Sequence, residues 1–152
     1  MVTIIEANTK RLRKQFVQFQ NDLYKDCPQY VPTMLSDEMA NLDPKKNPAF
    51  EYCEMKLWLA MRDGNIVGRV GGIISHKANE IWDRKRVRIT RLDVIDDMEV
   101  SRALIDTVQA WGKEKGMTEI SGPLGTCDMD KEGMLVDGFD KQSMFITYYN
   151  HP

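Results

Sequence analysis

The sequence predicts an α/β fold of the α+β kind, a mixed sheet in which an antiparallel hairpin is followed by a strand-helix-strand unit. Three observations carry this. From Met55 to Met61 the residues Met55, Leu57, Leu59 and Met61 alternate with Lys56, Trp58 and Ala60, the period of a half-buried strand. Asp63-Gly64-Asn65 then supplies a tight turn into a second run, Ile66 to Ser75, so the two runs should pair as a hairpin. Further on, Val100, Leu104, Val108 and Trp111 share a helical face between the strand-like runs Arg86 to Ile95 and Met117 to Ser121, for which parallel pairing through a right-handed crossover is expected.

The remaining elements follow in chain order. Val2 to Glu6 reads as a short strand, and Asn8 or Thr9 can cap a helix whose face is Leu12, Phe16, Phe19 and Leu23. Pro28, Pro32, Pro44 and Pro48 break the next stretch into a long connection holding one short helix, Ser36 to Leu42; connections of this length often carry function. Gly68, Gly71 and Gly72 lie inside the second hairpin strand, where glycine marks a bulge or a close approach, the bulge being commoner. Ala78 to Arg84 reads as a helical turn. Asp96-Asp97 opens the central helix, and Lys113, Lys115 and Gly116 suit its end. Gly122-Pro123 closes the last strand, and the Gly-, Asp- and Met-rich stretch beyond has no strong period, with Met144 to Tyr149 a candidate added strand.

Bulk properties bound the function. The 152 residues suit a single domain covering 1–152, and 42% hydrophobic with 29% charged residues is a globular composition. A net charge of −2 gives no global attraction for nucleic acid or anionic lipid, so binding of that kind must be local. No apolar run approaches the roughly 20 residues that span a bilayer, and Met1-Val2-Thr3-Ile4-Ile5-Glu6 lacks a secretory pattern, so a cytoplasmic location and no membrane partner are expected. Cys27, Cys53 and Cys127 are odd in number and widely spaced, which reads as free thiols.

More specific are Asn47-Pro48-Ala49-Phe50, Trp58-Leu59-Ala60-Met61-Arg62-Asp63-Gly64, Val67-Gly68-Arg69-Val70, Gly122-Pro123-Leu124-Gly125 and Gly133-Met134-Leu135-Val136-Asp137-Gly138-Phe139-Asp140. With the element order, these segments resemble a family of bacterial GNAT-like proteins, and the similarity extends over nearly the whole chain. The resemblance implies a GNAT-like sheet and an acetyl-CoA-dependent N-acyltransferase whose acceptor is a small-molecule or peptide amine. Members of that family continue beyond a tyrosine-rich segment like Tyr148-Tyr149-Asn150-His151-Pro152. The chain is therefore expected to match an amino-terminal portion, incomplete at its C-terminus, and its sheet edge to be covered by the Met134 to Tyr149 tail or by a twofold mate in a homodimer.

In a GNAT fold the pantetheine lies along the strand before the central helix and the diphosphate sits on amides at that helix's amino end. Carried over, the cofactor-binding residues are Val94, Ile95, Asp96, Val100, Ser101 and Arg102; no catalytic residue is assigned. Asp96, Asp97 and Glu99 place negative charge where the diphosphate would sit, and no glycine opens the loop. As caps the same acids need no ligand, so the runner-up is a binding or assembly module that keeps the fold without a working acyl-CoA site.

Other constellations read more plainly as structure. Asp128, Asp130 and Glu132 before Gly133 imitate the start of a calcium loop, but Phe139 stands where a bidentate carboxylate is needed, so no metal is expected. Arg84, Lys85, Arg86, Arg88 and Arg91 beside Trp82 form a basic cluster diluted by Glu80, Asp83 and Asp93, better read as a charged strand edge than as a nucleic-acid site. His76 and His151 are too few and too peripheral to support a catalytic pair with serine or with Cys127. GNAT enzymes commonly use a tyrosine as general acid, and Tyr148 or Tyr149 could serve, though packing explains both.

Overall fold

In a computed structural model that describes residues 1–144 and 147–152, five strands form one sheet in the order β1-β2-β3-β4-β5. The strands are β1 (Thr3–Glu6), β2 (Cys53–Arg62), β3 (Asn65–Ser75), β4 (Arg86–Val94) and β5 (Glu119–Ser121). The first four pair antiparallel and β5 joins β4 parallel, which is the mixed sheet expected of a hairpin followed by a strand-helix-strand unit. The hairpin turns on Asp63 and Gly64, both at positive φ, between the paired Arg62 and Asn65; right-twisted strands accept this two-residue geometry, and glycine enters it without strain.

The helices are α1 (Lys10–Leu23), α2 (Leu35–Asn41), α3 (His76–Ile81) and α4 (Met98–Glu114). Thr9 caps α1 by accepting from the Leu12 amide at 3.2 Å. The short helix begins at Leu35 rather than Ser36, because the Met34 carbonyl already receives the Glu38 amide. The last strand starts at Glu119 rather than Met117: the Met117 amide turns back to Gly112, closing α4, and the Thr118 amide goes to Lys85. Thr147, Tyr148 and Tyr149 carry no strand; Phe145 and Ile146, the centre of the candidate added strand, lie outside the described residues.

Two apolar layers flank the sheet. On one face Val100, Leu104, Val108 and Trp111 of α4, the stripe read from the sequence, pack on Trp58, Ala60, Val70, Ile74 and Val87. On the other, Phe16 and Val17 of α1 and Leu42 close over Leu57 and Leu59. Two of the β3 glycines are explained by the first layer. A Cβ on Gly68 would stand 2.8 Å from Leu104 Cδ1, and one on Gly72 2.9 Å from the Trp111 ring, so α4 sits as close to the sheet as it does only over bare backbone.

Candidate functional site

The site is built by a bulge in β4. Arg69 pairs with Asp93 and Gly71 with Thr90, so Val70 alone faces both Arg91 and Leu92, and Arg91 adopts φ +51°. The extra residue changes which side chains reach which face. Val87 and Ile89 before the bulge, and Leu92 and Val94 after it, all join the apolar layer under α4. Thr90, Arg91 and Asp93 are left buried on the opposite side, toward α1 and α2.

There Asp93 accepts three hydrogen bonds: from Arg69 Nε at 2.7 Å, from the Tyr148 hydroxyl at 2.8 Å and from the Tyr24 hydroxyl at 2.9 Å. Arg69 also donates to the Phe16 carbonyl at 2.9 Å and lies over the Phe16 ring. Burial works against its charge, but Asp93 more than offsets this and holds the guanidinium pKa above its ordinary value. Burial and the neighbouring Asp93 carboxylate push both tyrosine hydroxyls well above the usual phenol range, so they stay protonated donors.

A second buried set lies alongside. Arg91 donates through Nε and Nη2 to the two oxygens of Glu38 in α2, and through Nη2 to Asp130 at 2.9 Å. Burial raises the Glu38 pKa, yet the adjacent guanidinium prevails and brings it from 4.5 to about 2. The same balance keeps Asp130 below the ordinary carboxylate range. Asp130 is thus committed to an arginine rather than turned outward beside Asp128, and among the described residues no cluster of His, Cys, Asp and Glu could hold a metal.

Beyond Ile89 the two parallel strands separate. Pairing covers Arg86 to Arg88 against Glu119 to Ser121, and the Leu124 amide reaches Ile89 O at 2.8 Å. Past that point lies a cavity of about 610 Å³ between the end of β4, the start of α4, the end of α1 and the C-terminal residues. Val94, Ile95, Asp96 and Ser101 of the sequence-derived set line it; Val100 is buried in the core, and Arg102 is exposed outside the lining. Tyr24 and Asp93 form part of its floor.

At the helix start beside this cavity the Glu99 and Val100 amides are already taken. Asp97 Oδ1 accepts from the Glu99 amide at 2.8 Å and from Val100 at 3.3 Å, while Arg62 grips Asp97 at 2.7 Å and Glu99 at 2.8 Å. Arg62, through its hydrogen bond, draws the Asp97 pKa down. The residues present therefore do not fit a diphosphate at this helix end, whereas the unpaired edge of β4 and the cavity beside it do fit an extended amide-bearing chain.

Other sequence candidates fall elsewhere. Arg84 and Arg86 both pair with Glu119, Arg88 donates to the Gly125 carbonyl, and Arg91 is buried, so the basic cluster is dispersed. His76 meets Glu54 at 2.8 Å. His151 lies 3.8 Å from Cys27 Sγ, not near Cys127. Tyr149 packs edge-on against Tyr24, whereas Tyr148 joins the Asp93 network. Sequence reading missed Arg69, Asp93, Tyr24, Glu38 and Arg91 as a group; the available signal was opposite charges embedded in neighbouring apolar strands.

The fold as a whole matches solved structures. A tandem GNAT protein from the clavulanic acid biosynthesis pathway superposes with a TM-score of 0.61 at 15% identity, covering 86% of this chain and 39% of that one. The aminoglycoside N-acetyltransferase AAC(6')-Iy in complex with CoA gives 0.53 at 16% identity, covering 82% and 78%. This chain has the GNAT fold.

Two curated proteins match this chain in sequence. Protein YghO of Escherichia coli K12 is 32% identical over 139 residues, 91% of this chain and 35% of that protein. The bacterial ceramide synthase of Caulobacter vibrioides is 27% identical over 146 residues, 95% of this chain and 38% of that protein. The chain thus spans a little over a third of the length of the curated relatives it matches. No family model matches it. Among the described residues no helix is long and apolar enough to cross a membrane.

Proposed function

We propose that the chain forms the donor-holding part of an N-acyltransferase, which places an acyl thioester along the free edge of β4 and delivers it to an amine. The observation that carries this reading is the parting of β4 from β5 over a cavity floored by Tyr24 and Asp93. An unpaired strand edge offers alternating N–H and C=O groups, the partners that the two amides of a pantetheine arm require. Bound acyl-CoA would supply the acyl group as a thioester, activated toward an amine.

The protein's own part is positioning. Burial keeps Tyr24 protonated, and its hydroxyl donates to Asp93 at 2.9 Å, so the cavity floor presents a neutral, fixed oxygen that can accept a hydrogen bond from the incoming amine. The name of the Caulobacter relative, a ceramide synthase, points to a long-chain amino alcohol as the acceptor class, since ceramide is the amide of such an amine. Apolar Leu23, Leu92, Ile95, Met98 and Met134 around the cavity suit an aliphatic chain.

One observation favours a second reading, a module that keeps the fold without transferring anything: Asp97 already occupies the amides where a diphosphate would be bound. Calorimetry with palmitoyl-CoA and with palmitoyl-pantetheine separates the two. On the proposed reading both thioesters bind with similar affinity, because Asp97 already takes the Glu99 and Val100 amides. Absence of heat with either ligand at high micromolar concentration would sink the acyltransferase reading and leave the module.

A further inference from the structure

We infer that the groove between the start of α1 and α2 docks the chain on an anionic phospholipid surface. The groove, of about 750 Å³, is lined by Lys10, Arg11 and Lys14 of α1, by Leu35 and Met39 of α2, by Ser36, and by Lys46 in the loop after α2. Four cations thus surround an apolar floor, and none of the four forms an ion pair among the described residues. Met34, next to Leu35, is also strongly exposed.

The arrangement works against local stability. The first turn of α1 has no acid, so Lys10 and Arg11 sit at the positive end of the helix dipole, and Lys10 and Lys14 repel each other one turn apart. A helix stabilised only for its own sake would carry acids here, as α4 carries Glu99. An anionic partner removes both penalties. The apolar floor then selects among anions: phospholipid headgroups can meet the lysines while acyl chains cover Leu35 and Met39, whereas a nucleic-acid backbone would leave that floor uncovered. The chain's net charge of −2 does not oppose this, because attraction is set by the local patch within a Debye length.

The inference does not depend on acyl transfer, since its test reads binding alone. The whole chain is sedimented with vesicles of phosphatidylcholine and with vesicles containing about a third phosphatidylglycerol. It should bind only the anionic vesicles and be released by high salt. Neutralising Lys10, Arg11 and Lys14 together with Gln should weaken binding about a hundredfold, at about fivefold per charge. The same variant should melt no lower than the wild type, because it also relieves repulsion at the helix start. Lys46→Gln, outside the helices, should cost about fivefold by itself. Equal binding to neutral vesicles, no binding to anionic ones, or triple-variant binding at wild-type strength would each overturn the inference, and RNA binding without vesicle binding would replace it with a different partner.

Discussion

Glu38→Gln tests whether the buried charges hold the sheet to α2. The Glu38 side chain is 3% exposed and the Arg91 side chain 1%, so the glutamine would leave the guanidinium with Asp130 as its charged partner among the described residues, and that side chain is 14% exposed. The fall of the Glu38 pKa from 4.5 to about 2 corresponds to ~3 kcal/mol of stability, in line with the ~3 to 5 kcal/mol typical of breaking a buried pair. The sign in pH follows from the depressed folded pKa. The contribution is complete above 4.5, where the unfolded chain is already ionised, and is lost as the pH falls toward 2. Urea unfolding of wild type and variant at several pH values reads it directly: a gap of ~3 kcal/mol at pH near 6 should close as the pH approaches the folded pKa. A gap below ~1 kcal/mol at neutral pH, or one that stays constant down to the folded pKa, would refute the argument.

Trp111→Ala should lower the urea midpoint by the equivalent of ~3 to 5 kcal/mol, toward the lower end because the indole N–H it removes has no partner among the described residues. Tyr148→Phe deletes a donor to Asp93 and an acceptor for Arg69, and should cost ~1 to 3 kcal/mol by chemical denaturation at pH 7. Gly68→Ala would drive a methyl to 2.8 Å from Leu104 Cδ1 and should cost ~1 to 3 kcal/mol; an unchanged melting temperature would mean that α4 can lift off the sheet. Asp97→Ser keeps a cap on α4 while removing one of the two acids that hold Arg62, so calorimetry should show tighter binding of palmitoyl-CoA but not of palmitoyl-pantetheine.

The architecture was legible because its signals are local and periodic. The hairpin is announced by alternation around Asp63-Gly64, and the α4 face by four apolar residues at helical spacing; both depend only on neighbours in sequence. The acidic opening of α4 was likewise readable as a cap, although Arg62 as its clamp, 35 residues away, was not. What stayed hidden turns on a single residue of register. Alternation along β4 cannot reveal that Arg91 adopts a left-handed conformation, and without the bulge Asp93 and Arg69 read as isolated charges in apolar strands. Tyr148 was noticed for its hydroxyl, but its partner lies 55 residues back and is defined only by how the tail folds over β4.

The bulge also governs which genetic changes this domain tolerates. Substitutions at Leu92 or Val94 alter one contact at a time and should be graded by size. Deleting Leu92 is a different kind of event, because it takes away one of the two residues that make the bulge and with it the change of phase that the bulge creates. Loss of Leu92 would restore one-to-one pairing across Val70 and swing Arg91 away from Glu38 and Asp130 into the oily layer beneath α4, stranding opposite charges at once. The segment from Thr90 to Val94 therefore behaves as a reading frame: drift in its letters can be absorbed, while drift in its length cannot, even by one residue and even where the residue lost is an ordinary leucine.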